Sequence, residues 1–224
     1  MNRRHFTTQA GSAAAIAVAL NGTGPCQAAA ALVIPPGGKL AFNVLHNGTP
    51  IGTHRLDFTQ EGETLSVAIN VALRVTIAGI TVFTYALQAQ ELWSGGVFQS
   101  LHSKVDNNGT SLEVHAAKCA AGYNIEGTNV PPYIGPPNTM PLTYWNSQML
   151  NAMILNIQTA HSYPAKVSPG GWNRLPAADG ELILAQRYDV TGKLNLSVWY
   201  DQQDVWSGLA FHLHGDESYQ KIIT

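Results

Sequence analysis

The chain has 224 residues, of which 45% are apolar and 12% charged, enough apolar sequence for one domain with its own core. Its 14 acidic and 12 basic side chains nearly balance, so no strongly basic surface is expected. These values predict one folded domain and exclude nucleic acid as a partner.

The first 30 residues have the order of an export signal. Arg3 and Arg4 precede Phe6, an apolar run covers 13 to 20, and small residues lead to Ala30. This order resembles a twin-arginine signal peptide, whose substrates fold before export. An ordinary secretory signal that contains two arginines is the alternative. Either signal predicts delivery to the periplasm by an export machinery, and the apolar run is shorter than the about 20 residues that cross a bilayer.

The remaining chain has the pattern of antiparallel strands. Residues 31–38 are predicted as a linker and 39–224 as a single domain. From Leu65 to Ile77 every odd-numbered residue is apolar, which predicts a long half-buried strand. Glycine-containing turn signals recur about every ten residues, which is typical of hairpins in series. The fold prediction is therefore mainly β, a single antiparallel curved sheet or half-barrel of about 10 to 11 strands.

One hairpin can be registered from its turn. If Asn108-Gly109 forms a two-residue turn, Lys104 faces Glu113 and His102 faces His115. Opposite charges then lie across from each other, which supports this register.

A second hairpin is predicted around Gln202-Gln203. In that register Tyr200 faces Val205, and Trp199 faces Trp206 on an otherwise polar face. A tryptophan pair on a polar face is either covered by another element or exposed as a binding surface, for example for carbohydrate.

The segment between these hairpins breaks the strand pattern. It contains five prolines between 131 and 141, which a central strand does not tolerate. Thr143 is a suitable N-cap, and Trp145, Met149 and Met153 recur at helical spacing. One helix is therefore predicted over about 144–157.

Three phrases of the sequence carry a family resemblance: "PLTYWNSQML" (141 to 150), "RYDVTGKLNLSVWYD" (187 to 201) and "VWSGLAFHLHGDESYQ" (205 to 220). They resemble an uncharacterised family of exported bacterial β-proteins, and the strand–helix–strand order is similar to domains shaped like the periplasmic lipoprotein carrier. The resemblance implies an open, strongly curved sheet or incomplete barrel holding a helix. It further implies an apolar concavity suited to acyl chains.

Two histidine pairs are weak candidates for metal ligands. His102 and His115 would face each other with Glu113 on the same side, and His212 and His214 share another face. Because each pair lies on a polar face, solvated side chains are the simpler interpretation. No cofactor is predicted, since no glycine-rich phosphate-binding turn precedes a helix.

The segment 75 to 85, "VTIAGITVFTY", is apolar on both of its faces, unusual for a hairpin tip in water. It either folds back over an open end of the barrel or forms the apolar lip of a pocket. The sequence does not distinguish these arrangements.

The function predicted from these features is non-enzymatic binding of an apolar ligand, such as a lipid or acyl chain. The candidate ligand-binding residues are Tyr144, Trp145, Met149, Trp199 and Trp206. Two alternatives stay open: a metal-dependent enzyme that uses the histidine pairs, and a structural or partner-binding module whose interior is filled by its own side chains.

Overall fold

The structure is a computed structural model that describes residues 31–213 and 215–223, and β-strands dominate these residues. The strands are β1 (Lys39–His46), β2 (Thr49–Glu61), β3 (Thr64–Ile77), β4 (Ile80–Ser94), β5 (Val97–Asn107), β6 (Thr110–Cys119), β7 (Gly122–Gly127), β8 (Val130–Gly135), β9 (Thr139–Pro141), β10 (Met153–Leu155), β11 (Ser162–Pro164), β12 (Lys166–Pro176), β13 (Leu182–Thr191), β14 (Leu196–Asp201), β15 (Trp206–His212) and β16 (Asp216–Ile222). Short 3₁₀ turns cover Pro36–Gly38 and Ser147–Asn151.

One antiparallel sheet contains 13 of these strands, in the order β12-β13-β14-β15-β16-β1-β2-β3-β4-β5-β6-β7-β8. The other three, β11-β10-β9, form a small second sheet in which β9 and β10 are parallel. The mainly-β prediction and the long strand β3 are confirmed. In the described part of the chain no helix is long and apolar enough to cross a membrane.

The main sheet has 13 strands, more than the predicted 10 to 11, and both of its edge strands contain proline. Pro131 and Pro132 lie in β8, and Pro169 and Pro176 lie in β12. An edge strand leaves half of its N–H groups outside the ladder, so a proline there removes no necessary hydrogen bond. The proline-containing segments therefore form the edge strands of the sheet and do not interrupt it.

The first predicted hairpin is confirmed. In the β5–β6 pair Lys104 faces Glu113 and His102 faces His115, across the turn at Asn108-Gly109.

The predicted register of the second hairpin is wrong. Trp199 faces Gly208, and Tyr200 faces Trp206, with a β-bulge between Trp199 and Tyr200. The Asp201 carboxylate accepts hydrogen bonds from the backbone N–H groups two and four positions later, both at 3.0 Å, which lengthens the turn. Trp206 is consequently buried in the core, and the predicted tryptophan pair does not form.

The predicted helix over 144–157 is also wrong. The segment contains the 3₁₀ turn Ser147–Asn151, followed at once by strand β10. Tyr144 has a φ of 68°, which an α-helix cannot contain, and β10 pairs with β9 and β11. Trp145 and Met149 are buried as a helical stripe would require, but they reach the core from a turn.

The inner face of the main sheet is covered by the segment 136–165. Trp145, Met149, Ile154 and Leu155 of this segment are almost fully buried and belong to the same core cluster as the inward-facing residues of the strands. Residues 32 to 34, in the predicted linker, are half-buried and pack against that cluster. The molecule therefore has one continuous core between the sheet and this segment.

Candidate functional site

A cavity of about 430 Å³ lies on the inner face of the sheet, next to the covering segment. Its walls come from the end of β1, the first half of β2, residues 69–75 of β3, the first half of β4, the end of β5, the facing ends of β15 and β16, and residues 142–144 and 156–158. Its size is within the range of small-molecule sites, and most of its lining is aliphatic or aromatic.

The length of β3 and β4 creates one wall of this cavity. Their pairing continues to Ile77 and Ile80, whereas the neighbouring strands stop pairing with them at Leu73 and Tyr85. The predicted apolar segment 75 to 85 thus projects beyond the rest of the sheet. Its base, Val75 and Phe83, lines the cavity, and its outer end is exposed, with Ile77 at 63% and Ile80 at 69%.

A buried histidine faces the cavity. His54 is 4% exposed and lines the cavity, and its ring contacts Trp206 and Tyr219 edge-on at centroid distances of 5.2 and 5.6 Å. Neither of its ring nitrogens has a hydrogen-bond partner among the described residues. Burial lowers the pKa of His54 to about 3, so the ring is neutral at physiological pH. The neutral ring therefore has one donor and one acceptor that no described residue uses, and both nitrogens are buried.

Three tyrosines add hydroxyl groups to the lining: Tyr85, Tyr144 and Tyr219. Burial, together with the proximity of other tyrosines, raises the pKa of each above its ordinary value, so all three are neutral. Tyr144 is held in its left-handed conformation by a hydrogen bond from the Tyr200 hydroxyl to its backbone oxygen, at 2.7 Å. Such a conformation costs about 1–3 kcal/mol and is concentrated at functional sites.

The cavity has very little charge. None of the described residues that line it is a lysine or arginine, and its one carboxylate, Glu217, accepts a hydrogen bond from His46 Nδ1 at 3.0 Å. The same carboxylate accepts the backbone N–H of Leu213 at 3.0 Å. The lining can therefore form neutral hydrogen bonds, but its described residues include no lysine or arginine to pair with an anionic group.

A buried glutamate fixes the covering segment beside the cavity. Glu91 is fully buried, and its Oε2 accepts the indole N–H of Trp93 at 2.8 Å and of Trp145 at 2.9 Å. Burial raises the pKa of the Glu91 carboxyl, and hydrogen bonds from Thr143, Trp145 and Trp93 offset part of that rise. Because Thr143 and Tyr144 line the cavity, this hydrogen-bonded group positions one of its walls.

Of the five predicted ligand-binding residues, Tyr144 alone lines the cavity. Trp145, Met149 and Trp206 are buried in the core. Trp199 lies on the outer face of the sheet, where its indole N–H donates to Asn173 Oδ1 at 3.1 Å and the Arg187 guanidinium lies 5.9 Å from the ring centroid. Most residues that line the cavity, among them His54, were therefore not predicted from the sequence.

The predicted histidine pair lies on the outer face, away from the cavity. The His102 and His115 rings stack at 4.2 Å, and both Nε2 atoms lie close to Glu113 Oε1. In the second pair His212 contacts Asp216 at 3.0 Å, and His214 lies outside the described residues, as do residues 1–30 with the predicted export signal.

Comparisons with known proteins give a family and a fold. No curated protein matches the chain. A crystal structure of a beta-barrel-like protein of Domain of Unknown Function DUF1849 from Brucella abortus is similar, with a TM-score of 0.55 and 6% identity, over 82% of this chain and 95% of that chain. The model of the family described as Domain of unknown function (DUF6134) matches residues 42–222, so the chain belongs to that family.

Proposed function

We propose that this protein binds an uncharged, mainly apolar molecule, such as an acyl chain carried as an ester or alcohol. The molecule would occupy the cavity beside the projecting segment 75 to 85. The composition of the cavity lining is the main support for this proposal. The lining combines apolar walls with a small set of neutral hydrogen-bonding groups, and His54 among them has no partner.

The lining favours an uncharged ligand over an anionic one. Moving a carboxylate or phosphate out of water into an apolar cavity is costly unless a cation pairs with it. No lysine or arginine is among the described lining residues, and Glu217 would repel an anion. A hydroxyl or carbonyl group, in contrast, leaves water at a much lower cost, and the neutral polar groups of the lining can form a hydrogen bond with it.

Filling part of the cavity is expected to weaken binding without unfolding the protein. Leu73 is half-buried and lines the cavity, so Leu73→Trp would occupy space that the ligand needs. Titration with the neutral dye Nile red should show an affinity at least about tenfold weaker than that of the unchanged protein, a loss of about 1.4 kcal/mol. Leu184→Trp is the matched control, because Leu184 is exposed and does not line the cavity.

The same titration tests the charge preference. With dye bound, 1-decanol should displace it at lower concentration than decanoate at pH 8. Equal or better displacement by decanoate would contradict the proposed ligand class, and unchanged dye binding in Leu73→Trp would contradict the proposed site.

We further propose that the protein acts in the periplasm after twin-arginine export. Replacing Arg3 and Arg4 with lysine is expected to leave the chain unprocessed in the cytoplasm, because the signal is read by a receptor that recognises the arginine pair. Cell fractionation with antibody detection would measure this. Processing and export at the normal level in the double variant would point instead to an ordinary secretory signal.

A further inference from the structure

The outer face of the β5–β6 hairpin brings together three side chains that can bind a metal ion. The register places His102 directly opposite His115, and Glu113 lies two residues before His115 on the same face. The intervening residues Ser103 and Val114 are fully buried on the inner face, so the cluster is separated from the cavity by the sheet.

Their ligand atoms already converge. His102 Nε2 lies 2.6 Å and His115 Nε2 lies 3.2 Å from the same atom, Glu113 Oε1. All three atoms lie within 4.8 Å of one another. Bonds of about 2.0 to 2.2 Å to a tetrahedral Zn²⁺ place its ligand atoms roughly 3.3 Å apart, so only small side-chain rotations are needed.

We propose that His102, Glu113 and His115 form a surface site for a borderline divalent cation of the Zn²⁺ type. Two imidazole nitrogens and one carboxylate oxygen are ligands that Zn²⁺ prefers, and Mg²⁺ prefers oxygen alone. Three protein ligands leave a fourth position open to water. The site does not depend on the proposed function of the cavity, because it uses none of the cavity's residues.

The scaffold supports this site. The rings of His102 and His115 are stacked with an interplanar angle of 13°, and β5 and β6 lie inside the main sheet, paired on their other sides with β4 and β7. The donors are therefore arranged before the ion arrives.

One neighbour opposes the ion. Lys104 Nζ lies 3.6 Å from Glu113 Oε1, and the Lys104 side chain is exposed and free to turn toward solvent. Its positive charge would repel a bound cation. Replacement by methionine should strengthen Zn²⁺ binding by about two- to fivefold, the size of an exposed charge–charge interaction.

Isothermal titration calorimetry with ZnCl₂ tests the site, on the chain purified without a polyhistidine tag and stripped with a chelator. One ion per chain is expected, with no binding of Mg²⁺. His102→Ala and His115→Ala should each weaken binding by at least about 100-fold, since removing a ligand costs more than removing an outer-shell partner. His212→Ala is the matched control, an exposed histidine paired with a carboxylate elsewhere, and should bind Zn²⁺ normally.

Circular dichroism of each variant separates loss of ligand from loss of fold. Should an alanine variant misfold, Glu113→Gln applies the same test with a smaller change. Absence of Zn²⁺ binding, or binding that survives removal of either His102 or His115, would overturn the proposal. Loss of binding in His212→Ala would instead assign the ion to the other histidine pair.

Discussion

Replacing Glu91 with leucine is expected to lower the free energy of unfolding by about 2 to 6 kcal/mol at pH 7. The substitution removes the acceptor of two buried indole N–H groups, those of Trp93 and Trp145, and each unsatisfied group costs about 1–3 kcal/mol. Urea unfolding followed by tryptophan fluorescence would measure the loss.

The control for this prediction is Glu91→Gln, whose side-chain oxygen can still accept both indole N–H groups. It should lose much less stability than the leucine variant. A leucine variant as stable as the unchanged protein would show that Glu91 does not hold the covering segment in place.

The second large effect expected is on the acid stability of the fold, through His54. Its pKa is about 3 in the folded chain and 6.5 in the unfolded chain. Between these pH values the His54 ring is protonated in the unfolded chain and neutral in the folded chain. The contribution of His54 to the free energy of unfolding is therefore fully present above pH 6.5 and is lost as the pH falls. At pH 4 the loss from this group is about 3 kcal/mol. His54→Phe should remove this loss. Between pH 8 and pH 4, the free energy of unfolding should therefore fall less in the variant than in the unchanged protein.

Glu91 provides an internal check on the sign of this result. Its pKa is raised in the folded state, so its contribution to stability is full below its ordinary pKa of 4.5 and is lost as the pH rises through the folded value. Glu91→Gln should therefore make stability rise more steeply with pH, and His54→Phe less steeply. If the slope of stability against pH changed in the same direction in both variants, the pKa shifts assigned to His54 and Glu91 would be contradicted.

The sheet could be predicted from the sequence because alternation is a local signal. The odd-numbered apolar residues from Leu65 to Ile77 specify β3 directly, and Asn108-Gly109 specifies the register of its hairpin. The second register was wrong because one side chain, Asp201, lengthens the turn through bonds to the backbone. The helix was wrong because a stripe at helical spacing fits a buried turn equally well.

Part of the candidate site was visible in the same alternation. His54 precedes Leu56 and Phe58 on the buried side of β2, and Glu91 lies between Ala89 and Trp93 on the buried side of β4. A polar residue in such a row predicts a buried polar group that needs a partner. The cavity itself could not be predicted, since it depends on how the segment 136–165 packs against the ends of distant strands.

Native mass spectrometry of the protein, purified from cells without detergent, tests whether the cavity holds a ligand. We expect a bound species that is released on denaturation and identified as an uncharged lipid or other neutral apolar molecule, and that is depleted in the Leu73→Trp variant. A bare protein whose cavity takes up neither Nile red nor 1-decanol would contradict this expectation.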